Sequence, residues 1–204
     1  LKHTVHLDKV KAERFLLPIS KKKTHVIEIH AGQITTTDLT ISLPPTLNFE
    51  PFGGYSKIAA VERHHNTVKI GVAVAKGYGI RNGAVASSVS HDSHNIIVIG
   101  DNDVDMAIAV NEIIRTQGGY TVVENGKVYE TLALPIMGLM SDAGFENVNE
   151  ALQRMIQKAH QMGVASQIDP FVTLSFLALP VIPELRITPR GICKMTAKGP
   201  AILS

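Results

Sequence analysis

The chain is poor in the residues that mark several common classes of protein. It has 204 residues with no tryptophan, a single cysteine and only 5% aromatic residues. One cysteine, Cys193, excludes an internal disulfide and fits a reducing compartment, so we expect a cytoplasmic protein. The apolar stretches, such as 172–182, are short and interrupted by prolines, and no signal sequence opens the chain, so we expect no association with a membrane.

An excess of charge of one sign is also missing. Lys and Arg number 20 against 18 Asp and Glu, which gives a formal net charge of +2. Basic residues cluster only at Lys21–Lys23, and so short a run is typical of a solvated loop, because phosphate binding usually needs a wider basic face. We therefore expect no nucleic-acid partner.

The apolar content is sufficient for one folded domain, since 45% of the residues are hydrophobic. Residues 1–20 alternate weakly and contain Pro18, which predicts a linker or strand that leads in from a preceding domain. Residues 21–204 are expected to form the domain itself. Short runs rich in Val, Ile and Ala predict strands at 25–30, 58–61, 68–75, 84–89 and 95–99.

Helices and a hairpin are indicated by local signals. Residues 101–103 (Asp-Asn-Asp) offer a cap for a helix that runs to about Thr116. Apolar residues at helical spacing predict a second helix over 148–162, and Asn125-Gly126 predicts a tight hairpin turn. The predicted fold class is α/β of the α+β kind: a mixed β-sheet covered by helices on its faces, in one compact domain without a metal-binding barrel.

The polar run Ser90–Asn95 is the most informative feature, because it lies between two apolar runs where a buried strand would otherwise continue. Buried polar groups without partners cost roughly 1–3 kcal/mol each, so these side chains must bond to one another, to a ligand or to a partner domain. A Ser/His/Asp catalytic triad is unfavourable, since neighbours on an extended segment point to opposite faces.

Three interpretations of this run stay open. His91 and His94, with Asp92, could bind a metal, and His64 and His65 could join them if their segments lie side by side. Alternatively, the run forms a polar wall over a ligand site, where it bonds the ligand or supports metal ligands from behind. The third possibility is a satisfied buried network that fixes a strand crossing or a contact between subunits.

Five segments in order carry a resemblance to a known family, and their sequences are AVERHH, KGYGI, ASSVSHDSHN, LPIMGLMSD and DPF through LPVIPEL, between residues 60 and 185. In these segments the chain resembles the C-terminal domain of adenine deaminase, a member of the amidohydrolase superfamily. The resemblance implies a larger enzyme that converts adenine and water to hypoxanthine and ammonia, with divalent Mn or Fe bound mainly outside this chain. It also implies an N-terminal barrel domain as partner and a homo-oligomer.

The resemblance places no catalytic residue within this chain, which should be inactive by itself, and the expected part of the polar run is to close or shape the active site. The alternative function is a non-catalytic module for purine binding or oligomerisation. The residues expected nearest the substrate are His91, Asp92, Ser93, His94 and Asn95. Weaker candidates are Glu62, His64, His65, Ser141 and Asp142. We further expect Glu62 and its neighbour Arg63 to form a structural ion pair.

Overall fold

A computed structural model describes residues 1–20 and 23–203, so Lys21 and Lys22 of the basic run lie outside the described residues. An eight-stranded mixed sheet forms the centre of the molecule, in the order β2-β1-β4-β3-β6-β5-β7-β8. Neighbours pair antiparallel except β1 and β4, which are parallel. The strands are β1 (Thr24–Ile29), β2 (Thr36–Ile41), β3 (Tyr55–Val61), β4 (Ile70–Lys76), β5 (Gly83–Ser87), β6 (Ile96–Gly100), β7 (Gly119–Glu124) and β8 (Lys127–Ala133).

Three α-helices and a second, three-stranded sheet complete the fold. The helices are α1 (Asp103–Thr116), α2 (Phe145–Gln161) and α3 (Pro170–Leu177), and the small antiparallel sheet has the strands β9 (Leu185–Thr188), β10 (Gly191–Thr196) and β11 (Gly199–Ile202). The predicted α+β fold class, a mixed sheet covered by helices, is therefore confirmed. The small sheet was not predicted.

The central strands are buried on both faces, as their continuous apolar character predicts. Side chains alternate in β3: Ile58 faces a core that contains α2, α3 and β9, whereas Ala59 faces a core that contains α1. The small sheet lies close to β4 at Gly71, where a Cβ atom would be 2.6 Å from the backbone nitrogen of Gly191. Only glycine fits this approach without a shift of the backbone.

The local signals correspond to real element boundaries. The Asn102 side chain caps α1 by accepting a hydrogen bond from the Asp105 amide at 2.8 Å, and Asn125 and Gly126 both have positive φ in the β7–β8 turn. On α2, Met155 is fully buried, as its helical spacing predicts. Within 1–20 and 23–203, no helix is long and apolar enough to cross a membrane.

Residues 5–15 pack against the α1 side of the sheet. Val5, Leu7, Val10 and Phe15 are buried there, and residues 12–15 form a short 3-10 helix. The Asn111 side chain of α1 fixes this segment, since it accepts from the Val10 amide and donates to the Val10 carbonyl, both at 2.8 Å. This segment therefore contributes to the core of the domain.

Candidate functional site

The polar run forms a compact turn between β5 and β6, which we name the polar turn (Ser90–Asn95). The His94 amide donates to the Ser90 carbonyl at 2.7 Å, and the Ser90 hydroxyl donates to the Asn95 carbonyl at 2.5 Å. His94 has a φ of +49°, which reverses the chain. The His91 amide donates to the Ser175 carbonyl of α3 at 2.9 Å, so the turn is fixed to that helix.

The side chains of the polar turn differ in exposure. Asp92 and Ser93 are exposed to solvent, whereas Asn95 is buried and donates to the Ser93 hydroxyl at 3.1 Å. The His91 ring lies 5.1 Å from the Phe176 ring of α3, centroid to centroid, and 5.9 Å from the ring of His94. The turn therefore combines an internal network with polar groups that are free to bind something outside this domain.

His94 has the most distinctive environment of these residues. Its Nδ1 atom is buried and has no hydrogen-bond partner within the described part of the chain. Desolvation lowers the pKa of the His94 imidazole, and the nearby His91 and Arg63 lower it further. The lowered pKa favours the neutral ring at neutral pH, and the ring holds a buried polar atom without a partner over 1–20 and 23–203.

Arg63 lies beneath the polar turn, and the expected ion pair between Glu62 and Arg63 is wrong. The buried guanidinium donates from Nε to the carbonyl of His94, from Nη1 to the carbonyl of Thr4 at 2.8 Å, and from Nη2 to the carbonyl of Met137 at 3.0 Å. Successive residues of an extended segment point to opposite sides, so the two neighbouring side chains cannot easily meet. Burial lowers the pKa of Arg63.

Glu62 instead closes the loop between β3 and β4. Its carboxylate accepts from the amides of His64 at 2.5 Å, His65 at 2.9 Å and Thr67 at 3.1 Å, and from the Thr67 hydroxyl at 2.9 Å. Burial alone would raise the pKa of Glu62, but these hydrogen bonds outweigh it and lower the pKa. The Glu62 carboxylate therefore stabilises the loop between β3 and β4.

The remaining weak candidates lie on two loops. His64 contacts the polar turn, since its Nε2 lies 2.7 Å from the carbonyl oxygen of Ser93, whereas His65 is exposed. Asp142 forms an exposed ion pair with Lys2 at 2.7 Å. The Ser141 hydroxyl accepts from the Ala143 amide at 3.2 Å. His64 is therefore the weak candidate that contacts the polar turn.

A cleft of about 360 Å³ opens beside the polar turn. Asp92, Ser93 and Asn95 form its polar edge. Its other walls are mostly apolar and consist of Ala60, Ala178, Leu179, Pro180, Val181, Ile187, Thr188, Pro189 and Pro200. Apolar walls with a few polar groups are typical of sites that bind small molecules or a segment of another domain.

The metal-binding interpretation lacks a ligand set in this domain. Over 1–20 and 23–203, no group of three or more His, Cys, Asp or Glu side chains is arranged to hold a metal ion. His91 and His94 are neighbours, but two imidazoles without a third ligand do not fit the sites that bind catalytic metals in proteins. We therefore derive no chemical step through a metal held by these residues.

Comparison with known proteins decides the family. A family model described as the adenine deaminase C-terminal domain matches residues 33–198. The chain belongs to this family. The resemblance inferred from the sequence motifs is thereby confirmed.

Full-length relatives show how much of the family's proteins this chain represents. The adenine deaminase of Desulfitobacterium hafniense (strain Y51) is 47% identical over 193 residues, and the match covers 94% of this chain and 34% of that protein. The adenine deaminases of Nitratidesulfovibrio vulgaris (strain DP4) and Bacillus subtilis (strain 168) are 43% and 42% identical, over 94% and 87% of this chain and 34% and 31% of theirs. The chain thus spans about a third of the curated relatives it matches.

Sequence reasoning identified the polar turn but missed Arg63 as its support. A usable signal was present, because Ala59, Val61 and Arg63 alternate along β3 and its extension, and the first two face the α1 core. This alternation directs Arg63 inward. Three of its acceptors are backbone carbonyls of distant segments, which cannot be recognised from residue types in a sequence.

Proposed function

We propose that this chain is the C-terminal domain of an enzyme that deaminates adenine, and that its polar turn lies against the active site of the preceding domain. The reaction replaces the amino group at C6 of adenine with oxygen from water, which gives hypoxanthine and ammonia. Membership of the adenine deaminase C-terminal domain family is the observation that carries the proposal. Divalent manganese or iron, held outside this chain, would supply the activated water.

The chemistry of the polar turn suits a site that binds a purine. The neutral imidazole of His94 can donate or accept one hydrogen bond, and adenine carries both an amino donor and ring-nitrogen acceptors. Asp92 and Ser93 are exposed at the edge of the adjacent cleft. These groups would orient the purine or hold metal ligands of the neighbouring domain from behind, so the chain by itself should be inactive.

The proposed setting is the cytoplasm, because the buried Cys193 is unpaired. The test uses the full-length gene product, supplied with Mn²⁺ or Fe²⁺, and measures conversion of adenine to hypoxanthine. His91→Ala and His94→Ala should each lower kcat/KM by about tenfold to a hundredfold, as expected for groups that support a site from its edge.

A matched control is His160→Ala at the end of α2, where the imidazole lies 3.1 Å from the Val164 carbonyl. This variant should keep the activity of the wild type. A wild type that binds adenine but does not convert it would favour the purine-binding module. Full activity in both polar-turn variants would show that the turn lies away from the active site.

A further inference from the structure

Three segments that are distant in sequence meet at the guanidinium of Arg63. Each of its nitrogen atoms serves one segment: Nε donates to the polar turn at His94, Nη1 to the first residues at Thr4, and Nη2 to the loop after β8 at Met137. The Thr4 hydroxyl is a further acceptor, 3.2 Å from Nη1. One side chain therefore determines how these segments lie relative to one another.

The surroundings of the guanidinium are closely fitted to its shape. Arg63 is 2% exposed, and the backbone of Gly138 lies so near that a Cβ atom there would be 2.9 Å from both Nη1 and Nη2. Gly138 in turn accepts a hydrogen bond from the Ser88 hydroxyl at 2.6 Å, next to β5. A lysine carries one nitrogen and could not replace a planar group that donates in three directions.

The acceptors of Arg63 show that its role is to join main-chain segments. All of them are neutral oxygens, and no carboxylate pairs with Arg63 over the described ranges 1–20 and 23–203. The guanidinium contacts the polar turn through the carbonyl of His94, the residue whose Nδ1 has no partner within the part of the chain that the structure describes. The position of that imidazole therefore depends on the guanidinium beneath it.

We infer that Arg63 is a positioning residue for the deamination reaction: it fixes the polar turn and the loop after β8 in the arrangement that places His94 against the substrate site. This inference rests on the proposed function. A displacement of about 1 Å at a group that orients a substrate can reduce the rate by about a hundredfold. Loss of the guanidinium should therefore lower turnover by more than the loss of stability alone explains.

The experiment compares two buried arginines in the full-length enzyme. Arg186 of β9 is fully buried, and its guanidinium also donates to neutral oxygens, including the carbonyls of Ile34 at 2.6 Å and Pro183 at 3.1 Å. Burial lowers its pKa to about 10. Arg63→Lys and Arg186→Lys thus remove similar structural interactions at two places, and kcat, KM and the thermal midpoint are measured for both.

We expect the two variants to lose similar thermal stability. Arg63→Lys should lower kcat at least about tenfold, whereas Arg186→Lys should keep kcat within about twofold of the wild type. If Arg63→Lys does not fold, Gly138→Ala provides the second test, because its methyl group would displace the guanidinium without removing it, and the thermal midpoint reports the added strain of a side chain at a φ of +72°. Its kcat should also fall at least about tenfold.

Each result has a distinct meaning. A folded Arg63→Lys enzyme with the kcat of the wild type would overturn the positioning role and leave the proposed function intact. Losses of kcat that follow the loss of stability equally in both arginine variants would also overturn it, since they would show a purely structural role. A full-length wild type without adenine turnover would refute the proposed function, and the positioning role with it.

Discussion

Replacement of Glu62 by glutamine should weaken the domain by an amount that can be worked out from its contacts. Oε1 accepts from two backbone amides, and Oε2 accepts from the amide and the hydroxyl of Thr67. Glutamine keeps one oxygen atom and is neutral. The two donors that face the new NH2 group lose their acceptor, and the two that face the remaining oxygen lose a charged acceptor. At about 1 kcal/mol for each of the two bonds that lose their acceptor, the free energy of unfolding should fall by about 2 kcal/mol. The thermal midpoint of a chain of this size should then fall by about 4 to 8 °C.

The pH dependence of stability provides an independent test of the hydrogen bonds to Glu62. Its pKa is lower in the folded chain than in the unfolded chain, so the unfolded chain takes up a proton first as the pH falls. The stabilisation is therefore complete above the unfolded pKa of about 4.3 and is lost as the pH falls through the folded value. The difference between wild type and Glu62→Gln should be largest near about pH 7 and should narrow toward about pH 3.

Urea denaturation followed by circular dichroism measures this difference. Glu150→Gln is the matched control, because its carboxylate on α2 is mostly exposed and lies 4.0 Å from Arg154. It should change the free energy of unfolding by less than about 0.5 kcal/mol. A Glu62→Gln protein whose free energy of unfolding is within about 0.5 kcal/mol of the wild type near about pH 7 would contradict the role of these hydrogen bonds, as would a difference that stays constant as the pH falls.

Two further predictions concern stability and use the same denaturation assay. Met155→Ala should cost about 2 to 5 kcal/mol, because the side chain is fully buried between α2 and the sheet, whereas Gln153→Ala on the exposed side of α2 should cost less than about 0.5 kcal/mol. Asp169→Ala should cost about 1 kcal/mol, since the carboxylate caps α3 by accepting from the amides of Phe171 and Val172, and Asp169→Asn should recover most of the loss. Equal stability of Met155→Ala and Gln153→Ala, or an Asp169→Ala protein as stable as the wild type, would contradict these assignments.

Features that depend on neighbouring residues could be predicted from the sequence. The cap at Asn102, the Asn125-Gly126 turn and the buried Met155 all follow from residue types a few positions apart, and the structure contains all three. The mixed sheet follows from the apolar runs, although its strand order does not, because pairing depends on contacts across the whole chain. The polar turn was recognisable as unusual because its residues interrupt apolar strands.

Features that depend on distant backbone groups could not be predicted. Glu62 and Arg63 are adjacent and oppositely charged, so an ion pair was the natural expectation, yet both side chains bind main-chain groups. The acceptor of Arg63 at Met137 is 74 residues away, and every residue type has a carbonyl. The exposure of Asp92 and Ser93 likewise depends on where the turn leaves the sheet.

The hydrogen bonds between Val10 and Asn111 can form only well after Val10 has been synthesised on the ribosome. The two residues are 101 positions apart, so at about 5 to 20 residues per second Val10 waits about 5 to 20 s before its partner is made. During that interval the apolar side chains of Val5, Leu7 and Phe15 have no α1 to cover them. This early segment therefore exposes apolar surface that favours aggregation while the chain is still growing.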